Sequence, residues 1–310
     1  MTFLIECVRF FECEMLDKRL QQRYEYFENF NIFSRTREEL MIRLGPDNET
    51  KVAKIKVGNV PVLIVRSKVK EKVPVAVLWI HGGGYMLGMK EMVYFTRALD
   101  LVKEFGVTVI SPGYTLSWNK PYPAAFNDCY TVLEYLDKNK EAFGFKRIMI
   151  GGESAGGGLC AALVLKARDN GIHISYQMPL YPMLDNFDTE SSKDNHGKVW
   201  NTRKNHLGWK LYLRKDYDKE VSPYASPSRE TDYSNLPPCY TFVGDMEPFY
   251  KETVDYVKSL KDAGVDATLD IYHTNVHAFD LLSHDEELKK EAKKNFLKNF
   301  KFALDNYKLG

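Results

Sequence analysis

The segment Gly152-Glu153-Ser154-Ala155-Gly156 constrains this 310-residue chain more than any other. An apolar run, Ile148-Met149-Ile150 after Arg147, leads into it, and a small-residue helical segment from Leu159 to Lys166 leads out. The pattern is a strand, a sharp turn and a helix, with a serine at the apex. Such a turn crowds the backbone, and a glycine on either side relieves the crowding. A serine held there projects its hydroxyl above the edge of a sheet. Ser154 is therefore the candidate nucleophile.

A turn of this kind belongs to an alternating fold, and the rest of the chain supplies the alternation. Strands are predicted at 75–80, 107–111, 147–151, 175–180, 239–244 and 267–272, and helices near 91–105, 124–138, 155–170, 250–263 and 286–307. The last helix carries Leu288, Ala292, Phe296, Phe300 and Leu304 at a spacing of four, an apolar stripe for packing on a sheet. Strands alternating with helices imply an α/β fold, a mostly parallel central sheet flanked by helices on both faces. Residues 51–57 and 61–65 read as an antiparallel pair turning at Gly58-Asn59. In residues 1–44, Phe3, Cys7, Phe10, Phe11 and Met15 recur at helical spacing, predicting one or two amphipathic helices that end at Gly45-Pro46. Residues 185–217 break the alternation, placing Trp200, Trp209 and Tyr212 among polar side chains.

A second motif, His81-Gly82-Gly83-Gly84, directly follows the apolar strand at 75–80. Three glycines leave backbone N–H groups unobstructed, free to point at an oxygen that becomes negative during acyl transfer. A serine hydroxyl is a weak nucleophile and needs an adjacent base. Imidazole suits that task near neutral pH, and an acid must hold its tautomer. On this kind of scaffold the chain order is serine, acid, histidine, with the partners in loops past the later strands. The loop after 239–244 offers Asp245 and Glu247, and the segment after 267–272 offers His273 and His277. His277 stands beyond a turn and has the freer reach over the sheet.

With these motifs in place, the chain resembles the hormone-sensitive-lipase group of α/β-hydrolases. These are serine carboxylesterases with His-Gly-Gly-Gly upstream and Gly-(Asp/Glu)-Ser-Ala-Gly-Gly at the nucleophile. The resemblance spans roughly residues 50–305. It implies the α/β-hydrolase fold with a helical cap: cap helices at 1–44, and a catalytic domain at 45–310 with a cap insertion at about 185–220. The group's acid stands immediately before a proline, which selects Glu247, a position where most relatives have Asp. Its base lies in His-x-Phe, matched by His277-Ala278-Phe279. Its oxyanion donors carry over to the N–H groups of Gly83, Gly84 and Ala155.

Tyr114-Thr115-Leu116-Ser117 departs from the group's usual pattern, whereas Pro121-Tyr122-Pro123-Ala124 through Asp128 follows it. Asp128 and Glu153 read as structural partners, His81 as a residue that shapes the glycine loop, and His173, His196, His206 and His284 as surface groups. The implied activity is hydrolysis of short- to medium-chain carboxylic esters through an acyl-enzyme. Variants on the same scaffold are a deacetylase or amidase acting on an acetylated small molecule, a peptidase or acyltransferase, and a small-molecule receptor that has lost a triad residue. Here a serine, an acid and a histidine are all present. No cofactor is implied. His273 and His277 share a spacing of four but lack a His-Glu-x-x-His pattern, so no metal is expected.

A formal net charge of +1 gives no bulk field for nucleic acid or anionic lipid. Glu6, Arg9 and Glu12 interrupt the N-terminal apolar residues, and no apolar run is long enough to span a bilayer. Five scattered cysteines suit a reducing compartment, so the expected location is the cytoplasm, without a stable membrane anchor. The expected partner is a small-molecule ester. A homodimer is compatible with the chain, but no residue argues for one.

Overall fold

Buried apolar runs set the architecture. The computed structural model describes residues 48–307. The cap helices expected at 1–44 lie outside the described residues. The first strands, β1 (Thr50–Val57) and β2 (Val60–Ser67), form the antiparallel pair predicted around Gly58-Asn59. Six further strands follow: β3 (Val75–Ile80), β4 (Thr108–Pro112), β5 (Arg147–Glu153), β6 (Tyr176–Leu180), β7 (Cys239–Gly244) and β8 (Ala267–Tyr272). The sheet order is β1-β2-β4-β3-β5-β6-β7-β8. β2 runs antiparallel to β4, and every pairing from β4 through β3 to β8 is parallel. In β3, β4, β5, β6 and β7 nearly every residue is buried, the mark of a sheet covered on both faces.

The covering helices are α1 (Arg97–Phe105), α2 (Ala124–Asn139), α3 (Ala155–Asp169), α4 (Thr202–Leu213), α5 (Tyr250–Asp262), α6 (Phe279–Leu282) and α7 (Glu286–Asn306). α3 starts at the serine turn and is buried on nearly all sides, which is why its first half is Ala, Gly, Leu and Cys. Glycines there let it lie close to the sheet: a Cβ on Gly156 would come within 2.1 Å of the Ile80 carbonyl oxygen. On the opposite face α7 sets Phe296 edge-on against Trp79 of β3 at 6.1 Å. The stripe of α7 holds at Ala292, Phe296 and Phe300, and then Ala303 takes the buried place in preference to Leu304. A strict spacing of four drifts off a helix face that repeats every 3.6 residues.

The helix expected near 91–105 is divided. A 3₁₀ turn spans Lys90–Tyr94, and Thr96 is extended before α1 begins. Among the described residues no helix is long and apolar enough to cross a membrane. The stretch at 185–220 carries α4, whose Gly208 lies against the glycine loop.

Candidate active site

The sharp turn after β5 puts Ser154 at φ 58°, ψ −120°, outside the regions favoured by residues with a Cβ. Three hydrogen bonds hold it there. The Ser154 N–H donates to the Leu180 carbonyl at 3.0 Å, and the Ser154 carbonyl accepts from Gly158 at 2.9 Å and Met183 at 3.0 Å. Backbone strain of this kind persists where the surroundings over-determine it. Close approach of the chain is part of that framework, since a Cβ on Gly152 would meet the Gly156 and Ile80 carbonyls at 2.5 and 2.6 Å.

Ser154 Oγ lies 2.9 Å from His277 Nε2. The other ring nitrogen, Nδ1, is in hydrogen-bond contact with Glu247 Oε2. Glu247 Oε1 in turn accepts from the Gly244 N–H at 3.2 Å. Ser154, His277 and Glu247 are 7, 4 and 0% exposed, so the line of hydrogen bonds is shielded from water. The next residue, Ala278, sits in the left-handed region at φ 55°, turning the chain into α6.

Asp245 and His273, the other acid and histidine offered by the same loops, pair with each other. His273 Nδ1 stands 2.8 Å from Asp245 Oδ2, and the His273 side chain is 83% exposed. Asp245 Oδ1 accepts from the Thr274 N–H at 3.1 Å. This second pair does not reach Ser154.

The glycine loop abuts the serine turn: a Cβ on Gly82 would lie 3.3 Å from Ser154 Cβ. Gly83 and Gly84 have φ of 120° and 60°. Their N–H groups, and that of Ala155 at the start of α3, have no acceptor among the described residues. Unpaired donors beside a shielded serine suit an oxygen that acquires charge. His81 points away from this work. Its Nδ1 lies 2.9 Å from the Gly82 carbonyl, its ring stacks on Tyr114 at 4.1 Å, and burial pushes its pKa down to about 4. The imidazole is thus neutral and braces the loop.

Several aromatic side chains crowd the site, and the sequence did not place them there. Trp200 points the edge of its six-membered ring at Gly84, where a Cβ would come within 2.3 Å of Cη2. Its ring centroid is 6.3 Å from both His277 and Phe249. Phe249 and Tyr181 stand edge-on to His277 at 5.0 and 5.2 Å. Phe249 stands two residues after Glu247, and that position at the end of the acid loop was the one available hint. Asp128 accepts the Thr115 N–H at 2.8 Å, tying down the loop after β4, and Glu153 accepts the Trp79 indole N–H at 2.9 Å. His173, His196 and His284 are exposed, and His206 is partly exposed beside Asp188.

Comparison with known proteins places the fold among ester hydrolases. Residues 77–281 match a family model described as the alpha/beta hydrolase fold. An arylesterase from Saccharolobus solfataricus is 31% identical over 241 residues, 76% of this chain and 78% of that protein. An ethyl acetate hydrolase from Pseudomonas putida is 28% identical over 210 residues, 66% of this chain and 65% of that protein. Among solved structures, a bacterial heroin esterase matches with a TM-score of 0.79 at 28% identity, covering 90% of this chain and 92% of its own.

Proposed function

The chain belongs to the hormone-sensitive-lipase-like group of the α/β-hydrolase fold and is an ester hydrolase, and from that premise we propose a serine carboxylesterase that acts through an acyl-enzyme on short- to medium-chain esters. Ser154 is the nucleophile, His277 the base, Glu247 the acid, and the N–H groups of Gly83, Gly84 and Ala155 form the oxyanion hole. The observation that carries the reading is the shielded line of hydrogen bonds from Ser154 Oγ through His277 to Glu247, anchored on a strained turn.

With the Nδ1 proton donated to Glu247, His277 Nε2 holds the lone pair that takes the Ser154 proton as Oγ attacks the ester carbonyl. The carbonyl oxygen becomes an oxyanion and meets the three donors, each worth about 10²–10³-fold in kcat at such sites. Collapse expels the alcohol, which leaves with the proton from Nε2. Water, deprotonated by the same nitrogen, then attacks the acyl-serine, and the carboxylic acid departs. Trp200 and Phe249 close over the glycine loop and the histidine, which supports the preference for shorter chains.

The test is initial rates on p-nitrophenyl esters from acetate to laurate, for wild type and Ser154→Ala. The expected result is turnover concentrated on the shorter esters and a loss of about 10⁴-fold or more in Ser154→Ala. A wild type inert across the series, or undiminished turnover by Ser154→Ala, would overturn the reading.

A further inference from the structure

Beneath the serine turn lies a buried polar cluster that the acyl-transfer steps leave unused. Glu153, the last residue of β5, is 4% exposed, and its Oε2 has no hydrogen-bond partner. Asp280, three residues beyond His277, is fully buried. Its Oδ2 accepts from Arg97 Nε at 2.9 Å and its carbonyl from Arg97 Nη2 at 3.1 Å, while Oδ1 has no partner. The hydroxyls of Tyr181 and Thr96 belong to the same cluster. Tyr181 faces Asp280 and Thr96 faces Glu153, neither in hydrogen-bond geometry. Four unpartnered polar atoms thus meet where the serine turn, the histidine loop, the chain after β6 and the start of α1 converge.

Charge counting assigns their protonation. Arg97 also gives Nη1 to Asp100 at 2.8 Å, and Asp100 takes Lys293 at 2.7 Å. Two cations, Arg97 and Lys293, are therefore matched by two carboxylates, Asp280 and Asp100. Glu153 is a third carboxyl with no cation of its own. The remaining groups that face it, Trp79 from β3, Thr96, Tyr181 and Tyr114, are neutral. A buried carboxyl without a partner takes up a proton in preference to bearing a charge. Consistent with that count, burial and then the nearby Asp280 charge push the Glu153 pKa up to about 8.

We propose that Glu153 is a positioning residue: it stands protonated beside Asp280, and its carboxyl proton is the donor that ties the serine turn to the loop carrying His277. The proposal rests on Ser154 and His277 acting as nucleophile and base. Ionisation of Glu153 places a second negative charge against Asp280, loosens the two loops from each other and lengthens the Ser154–His277 contact. Glu153 and Asp280 are buried away from the surface from which a substrate enters, so the effect falls on kcat and leaves KM in place. A glutamine at this position keeps both the shape and a donor and cannot ionise.

The experiment is the pH profile of kcat and KM on p-nitrophenyl acetate from pH 6 to 10, corrected for spontaneous hydrolysis, for wild type, Glu153→Gln and Glu153→Leu. Wild type is expected to lose kcat by about tenfold per pH unit above the ionisation, with KM steady. Glu153→Gln removes that alkaline limb, while Glu153→Leu, which lacks the donor, lowers kcat at every pH. Thermal unfolding supplies a readout independent of turnover. Between the unfolded pKa of 4.5 and the native value near 8 the native state keeps a proton that the unfolded chain has lost, so wild type loses stability as pH rises through this window. The Tm of Glu153→Gln should therefore gain on that of wild type from pH 5 to 8. An alkaline limb that survives in Glu153→Gln, or a Tm difference that does not change with pH, overturns the proposal. Failure of the esterase reading looks different, as a wild type inert on every acyl length.

Discussion

Glu247→Gln and Asp245→Asn make the sharpest contrast the site offers, because the same loop presents both carboxylates. Glu247 is fully buried, and its two oxygens serve His277 Nδ1 and the Gly244 N–H. A glutamine fits the same volume but can turn its NH₂ toward Nδ1. That forces the imidazole proton onto Nε2, the nitrogen that must accept from Ser154. Loss of the correct tautomer in a serine–histidine–acid site costs about 10⁴-fold in kcat. At 1.36 kcal/mol per factor of ten this is about 5 kcal/mol of lost transition-state stabilisation. Asp245 holds only the exposed His273 and one backbone N–H. Exposed pairs of this type are worth about 0–1 kcal/mol, so Asp245→Asn should change kcat by less than about fivefold. The assay is the initial rate on p-nitrophenyl acetate, with far-ultraviolet circular dichroism to verify that both variants are folded. A deeper loss in Asp245→Asn, or a Glu247→Gln loss of less than about tenfold, would refute the assignment of the acid.

Trp200→Ala opens the space above Gly84 and should raise the laurate-to-acetate ratio of kcat/KM by about tenfold or more, since each accommodated methylene is worth about 1 kcal/mol. An unchanged ratio would show that the indole does not limit the acyl chain. Gly156→Ala drives a Cβ to within 2.1 Å of the Ile80 carbonyl and 2.5 Å of the His81 carbonyl, both backbone atoms that cannot swing aside. Overpacking of this kind costs about 3 kcal/mol, which should lower Tm by about 5 °C or more in a chain of this size, and a Tm within about 2 °C of wild type would show that the contact relaxes.

Much of the fold could be read from sequence because the central strands are apolar throughout. The limits of β3, β7 and β8 coincide with the predicted spans, and α2, α3, α5 and α7 end within a residue or two of the predicted positions. The misses have local causes. The segment 91–105 contains no proline, and nothing in its pattern marks the extended Thr96 that splits it. Trp200 was visible only as an aromatic in a polar stretch, since its place on Gly84 depends on how α4 lies over the glycine loop. The cluster of Arg97, Glu153 and Asp280 joins residues far apart in the chain. Its members look like ordinary charged residues until the sheet brings them together.

The pairing of acids with histidines was left undecided between alternatives by local sequence, yet the sheet register resolves it. β7 and β8 run parallel with Gly244 opposite Tyr272, the last residue of each strand. The first residues past the two strands, Asp245 and His273, are therefore neighbours, and the Asp245 N–H bonds the Tyr272 carbonyl at 2.9 Å as a continuation of that register. They pair at the rim of the sheet because the register leaves them side by side. Glu247 lies two residues further on and His277 four, so both loops have turned back over the sheet before their side chains meet, and there the histidine can face Ser154. Six-residue strands ending at Gly244 and Tyr272 were predicted from sequence alone. Given a parallel pairing with those ends aligned, the rim pair follows, and by elimination so does the buried pair that reaches the serine.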